Sequence, residues 1–218
     1  MIVEPLQVIV QTAFPGAKLA PGFSSDEIAA AERRLTLTLP EALQDYFTVG
    51  GHSREMMDAD AHILAPDKLR VESDHLIFCE ENQGIASYGI PLAELRELAK
   101  APNPSVAAKA VNQPKWFSES SSLSAFLLGL GAWQALLSEP EKARCELPQK
   151  QLKTLRAFFE PVGTAEVRLG GDRIGLVDRK NSIVAAYLYN SETLYVGSPL
   201  EDALDELEKR SGLEFESL

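Results

Sequence analysis

Between Ser24 and Gly51 the apolar positions fall twice into helical spacing. Ile28, Ala31 and Leu35 share one face of a first helix, and Leu43, Tyr46 and Phe47 line a second. Ser24 with Glu27 three positions on is a capping box. The Ser hydroxyl would accept from the Glu27 backbone N–H while the Glu27 carboxylate reaches back to Ser24. Pro40 suits the first position of the second helix, where its missing N–H costs nothing. Gly50-Gly51 is expected to end that helix with a positive φ. Thr36 to Leu39 reads equally as a helix end or as an extended connector.

The pattern then changes to short strands at Ile63-Leu64, Leu76 to Cys79 and Tyr88 to Ile90. Pro91 to Lys100 reads as a helix opened by proline, and the stretch after it, through Trp116, as irregular, held by Pro102, Pro104 and Pro114. Leu123 to Leu137 is apolar nearly all round, so it is expected to be a central helix. Pro140 to Pro148 reads as a linker, and Leu152, Leu155, Phe158 and Phe159 as part of a helix ending at Pro161. Four β runs follow, AEVRL, RIGLV, SIVAAYLY and TLYVG. Turn signals at Gly170-Gly171-Asp172, Arg179-Lys180-Asn181 and Asn190-Ser191 make them an antiparallel meander. Leu200, Leu204, Leu207 and Leu213 belong to a closing amphipathic helix. The class is α+β, with helices packed on a mainly antiparallel twisted sheet. Three segments are expected: 1–21 as an N-terminal segment, 22–137 as the core, and 138–218 as a meander and helix extending the same domain.

Charge narrows the partners. The 218 residues carry 32 acidic against 21 basic side chains, a net −11. Such a charge serves solubility first; it also repels nucleic-acid phosphates and anionic membranes and would speed encounter with a basic partner. From Pro199 to Leu218 seven acids face only Lys209 and Arg210. No apolar run reaches membrane-spanning length. The apolar N-terminus carries Glu4 and no basic residue before Lys18, so export by a secretory signal is not expected. Cys79 and Cys145 have no CxxC spacing and read as reduced thiols of a cytoplasmic protein.

Catalytic patterns are missing from the chain. His52, His62 and His75 lie in no HExxH motif and beside no GxSxG elbow. Asp58, Asp60 and His62 alternate, but without the glycine turn and terminal Glu of a calcium loop. RLGGDRIG precedes a strand, so it reads as a hairpin turn, not a phosphate cradle. Glu80 and Glu81 are adjacent on extended chain and would point to opposite faces, so they would not converge on one substrate atom. No enzymatic activity, metal or cofactor is expected. What stands out is an abrupt change of character. A buried strand, Leu76 to Cys79, runs straight into Glu80, Glu81, Asn82, Gln83 and Gly84. Hydrogen-bonding groups at the end of a rigid element suit a binding surface, and they equally suit the needs of their own turn.

These motifs together resemble the SUKH superfamily, which includes the fungal Smi/Knr cell-wall regulators and many bacterial immunity proteins. The resemblance rests on Glu32 in mid-helix, Leu39-Pro40, Tyr46-Phe47 and Gly50-Gly51, then LIFCEENQG with YGI, and then Trp116 ahead of LSAFLLGLGAWQALL. It covers about Gly22 to Leu137; the second half offers no such match. It implies a single SUKH-like domain and a protein-binding module, in bacteria commonly an immunity protein that neutralises a nuclease or deaminase toxin domain. The partner-binding candidates are Glu80, Glu81, Asn82, Gln83, Gly84, Tyr88 and Trp116. The implied partner is a basic toxin domain, with no nucleic acid or membrane bound. A regulatory scaffold of the Smi/Knr type, or an enzyme or small-molecule-binding protein with an unrecognised cleft, stays open beside it.

Overall fold

The structure is a computed structural model that describes residues 1–16, 21–162, 168–169 and 173–218. The described residues form an α+β fold with two antiparallel sheets and no closed barrel. The chain divides into two compact units, Met1–Val3 with Leu19–Leu127, and Glu4–Lys18 with Leu128–Leu218. The division falls inside a helix at 127/128, whereas the expected segments met at 137/138. The N-terminal helix α1 (Val3–Ala13) belongs, but for Val3, to the second unit.

The first unit opens with α2 (Ser25–Leu35), whose capping box forms as read: Glu27 N–H donates to Ser24 Oγ at 3.3 Å and Ser24 N–H to Glu27 Oε2 at 2.8 Å. Thr36 takes a left-handed φ of 55° and ends α2. The Glu32 carboxylate accepts from Leu39 N–H at 2.8 Å, so TLTL is a tethered connector. Pro40 stands at the N-cap of α3 (Glu41–Gly50), one place earlier than the spacing suggested. Gly51 does not end α3 with a positive φ; its φ is −60°. A Cβ there would run into the Phe23 ring and the Phe47 carbonyl, so glycine is needed for close approach and not for handedness. Ser53 caps one further turn, α4 (Arg54–Met57), which buries both methionines.

The sheet of this unit comprises β1 (Ala61–Ile63), β2 (Arg70–Glu72), β3 (His75–Glu81), β4 (Ala86–Pro91), β5 (Val106–Ala110) and β6 (Phe117–Ser120). The order is β1-β3-β4-β5-β6, with β2 also on β3. A single turn, α5 (Leu92–Leu95), is all that forms of the helix expected over Pro91 to Lys100. The stretch expected to be irregular holds β5, whose small Val-Ala-Ala run is buried. The central helix α6 (Leu123–Ser138) forms over nearly the expected span. Its Phe126 sits edge-on to Phe78 at 5.6 Å and against Tyr88 at 5.2 Å. Leu130 and Trp133 group with the second unit.

That unit holds the second sheet. The expected linker is strand β7 (Glu141–Glu146), because Ala143 and Cys145 alternate inward and pair with Val196 and Leu194. The helix expected to end at Pro161 is a nine-residue 3-10 helix, Gln149–Ala157. Then come β8 (Glu160–Pro161), β9 (Arg168–Leu169), β10 (Arg173–Asp178), β11 (Ile183–Leu188) and β12 (Thr193–Ser198), followed by α7 (Ala203–Ser211) and β13 (Glu216–Ser217). The meander β10-β11-β12 is as read, and the order is β13-β7-β12-β11-β10-β8. The Gly170-Gly171-Asp172 turn and most of AEVRL lie outside the described residues. Gly175 and Gly197 let α6 lie close on this sheet; a Cβ would stand 3.0 Å from Ala132 Cβ and 2.8 Å from the Leu136 carbonyl. Leu200 is 47% exposed and lies before α7, outside the helix to which its spacing assigned it.

Candidate functional site

The candidate residues all belong to the first unit, and the β3 register decides where each one points. Ile77 pairs with Gly89 and Cys79 with Tyr88, so Phe78 is an extra residue. This bulge turns both Phe78 and Cys79 to the buried side. Glu80 is thereby returned to the outer face, opposite Ser87 and His62. Directly opposed residues share a face. The outer face therefore carries Arg70, Ile77, Gly89 and Ala107 in one row, Glu72 and His75 in another, and Glu80, Ser87 and Lys109 in a third.

On that face the charges are paired. Arg70 donates to Glu80 Oε1 at 2.5 Å, and Lys109 lies 3.3 Å from Glu72. Both pairs are partly exposed, so each contributes at most about 1 kcal/mol. Trp116 stacks on His75 with centroids 4.1 Å apart and 15° between planes. Its Cη2 and the Cδ1 of Ile77 each come within 3.2 Å of where a Cβ of Gly89 would stand. Gly89 thus leaves room for the indole, and Ile77 is fully buried on the outer face. The indole N–H is buried with no hydrogen-bond partner among the described residues.

The candidates separate into three groups. Tyr88 points inward to Phe126, and Cys79 beside it is buried, with burial and then the Glu80 and Asp60 charges pushing its thiol up and out of nucleophilic range. Glu80, with its Arg70 partner, and Trp116 lie on the outer face. Glu81 serves its own turn: its carboxylate accepts from the Gln83 N–H at 2.8 Å and the Ile85 N–H at 3.3 Å. Gly84 supports that turn with φ +69°. Glu80 and Glu81 diverge, as extended geometry requires. Asn82, Gln83 and Gly84 are exposed at the tip.

Sequence reasoning missed the apolar partners of that tip. Ile85 is 58% exposed and Val111 is 68% exposed. Val111 N–H donates to the Ile85 carbonyl at 2.9 Å, which continues the β4–β5 register by one step and sets the two side chains side by side. Asn82, Gln83, Asn112 and Gln113 rim them, all exposed. The signal was available only in part. Ile85 follows the polar turn, but its neighbour Val111 lies in a stretch that proline spacing marked as irregular.

Two concavities lie elsewhere. One of about 270 Å³, between α2 and the turn at Pro66, is lined by Phe23, Ala30, Ala31 and Pro66, with Glu27, Arg34 and Asp67 at its walls. Arg34 is committed to the carbonyls of Pro66 and Leu69 at 3.0 and 2.8 Å. A polar groove of about 670 Å³ runs beside β7 and β13 in the second unit. Among the described residues no three His, Cys, Asp or Glu side chains converge as metal ligands, and no helix is long and apolar enough to cross a membrane. No family model, curated protein or solved structure matches the chain.

Proposed function

We propose that this chain is a non-enzymatic, cytoplasmic protein-binding module whose contact surface is the hairpin end of the first sheet. The observation that carries the reading is the adjacent exposed pair Ile85 and Val111, rimmed by amide side chains at the ends of two hairpins. Apolar side chains encircled by hydrogen-bonding groups suit the centre and rim of a protein interface. The rigid sheet behind them lowers the ordering cost of binding. Asn82, Gln83 and Gly84 belong to this surface; Glu80 and Trp116 support the face behind it.

The partner is a basic protein, since a chain of net −11 attracts basic surfaces and repels phosphates. The SUKH-like motifs make a toxin domain of nuclease or deaminase type the natural candidate, with this chain as its immunity protein. Capture of partners from the native host tests the reading. Ile85→Asp with Val111→Asp should fold normally and lose the partner. Turnover of a small molecule by the purified chain, with no protein captured, would instead favour an enzyme.

A further inference from the structure

The 3-10 helix Gln149–Ala157 runs for nine residues, where three or four are usual. On such a helix residues three apart stand one above another. Leu152, Leu155 and Phe158 therefore form one ridge, which packs on the core of the second unit. Lys150, Lys153 and Arg156 form a second ridge, fully on the surface. Gln151, Thr154 and Ala157 form a third, exposed and uncharged. The buried ridge accounts for the winding. It does not account for three aligned cations, and no acid on the helix, in a chain where acids outnumber bases 32 to 21. An α-helix would rotate successive members of each ridge by about 60° and fan the cations apart. Neither Lys150 nor Lys153 has an ion-pair or hydrogen-bond partner for its ammonium group among the described residues.

The ridge is also held at both ends. Gln149 N–H donates to Glu192 Oε1 at 3.2 Å. Beyond the helix, Arg210 lies over the Phe158 ring at 6.0 Å and is anchored by Asp178 at 3.1 Å. We propose that Lys150, Lys153 and Arg156 form a docking surface for an extended acidic peptide, a reading independent of the function proposed for the hairpin end. One 3-10 turn rises about 6 Å. In an extended chain, side chains on one side recur about every 6.6–6.8 Å, roughly the same step. Acids at alternate positions would thus meet successive cations. A helical peptide with acids every fourth residue matches the rise but turns them about 40° per step.

The test titrates the isotope-labelled full chain at low salt with a nine-residue peptide of alternating Glu and Ser. Parallel titrations use a longer Glu/Ser peptide that carries the same number of glutamates spaced four apart, and a single-stranded oligonucleotide. The expected result is amide shifts confined to 149–157 with the alternating peptide, suppressed at high salt. The double variant Lys150→Ala with Lys153→Ala should weaken binding roughly tenfold while leaving the rest of the spectrum unchanged. Lys153→Glu should abolish it. Absence of shifts in 149–157, equal affinity in the double variant, or tighter binding of the oligonucleotide or the helically spaced peptide at the ridge would overturn the proposal.

Discussion

Glu139 is an acid that the fold buries, its Oε1 without a hydrogen bond among the described residues. The residue is 2% exposed, and burial, partly offset by Lys142, pushes its carboxyl up to about 8. Lys142 Nζ donates to the main-chain oxygen of Glu139, not to its carboxylate. Below pH 4.5 both folded and unfolded chains hold the proton; between 4.5 and about 8 only the folded chain does. Stability should therefore fall as pH rises through that window, by at most about 1.4 kcal/mol per pH unit, and level off above it. Glu139→Gln should remove this slope and be more stable than wild type at pH 9, yet nearly equal at pH 4.5; urea unfolding at a series of pH values measures it. Trp116 makes a second residue-scale test. Trp116→Ala uncovers Ile77 and should cost about 2–4 kcal/mol. Trp116→Phe keeps much of the cover and removes the orphaned N–H, whose burial costs about 1–3 kcal/mol, so it should be far milder. Equal loss in both variants would contradict the role given to the ring as a cover for Ile77.

Elements show what a sequence can and cannot specify. The capping box at Ser24, the helices α2 and α3, the meander and α6 were legible because each depends on local spacing that tertiary contacts leave alone. The misreading of Pro140 to Pro148 has a different origin: a proline at each end hid β7, whose pairing partners in β12 lie far along the chain. Gly51 was assigned the wrong reason, because the ring that excludes its Cβ belongs to Phe23, distant in sequence. The candidate turn was half legible. Its polar run was plain, but the bulge at Phe78 that aims Glu80 outward, and the pairing that brings Val111 beside Ile85, depend on strand register. The Glu32 carboxylate on Leu39 N–H ties α2 to the connector. Glu32→Ala should cost about 1–3 kcal/mol in thermal or urea unfolding. Leu127→Ala, at a fully buried position of α6, should cost about 2–5 kcal/mol. An unchanged melting temperature in either variant would contradict the packing described.

For the whole molecule, the proposed binding role assigns the kinetics of encounter to the net −11 and the lifetime of the complex to the hairpin end. Association with a basic partner should slow steeply as salt rises, whereas dissociation should follow Ile85 and Val111. Neutralising acids of α7, such as Glu206 and Glu208, should reduce the on-rate and leave the off-rate nearly unchanged. The most direct measurement places a photo-crosslinking side chain at Val111, and separately at Glu208, in the native host. If the hairpin end is the contact surface, one discrete basic protein is joined at Val111, lost when Ile85→Asp is added, and absent from Glu208. No product at Val111, or the same products at both positions, would contradict it.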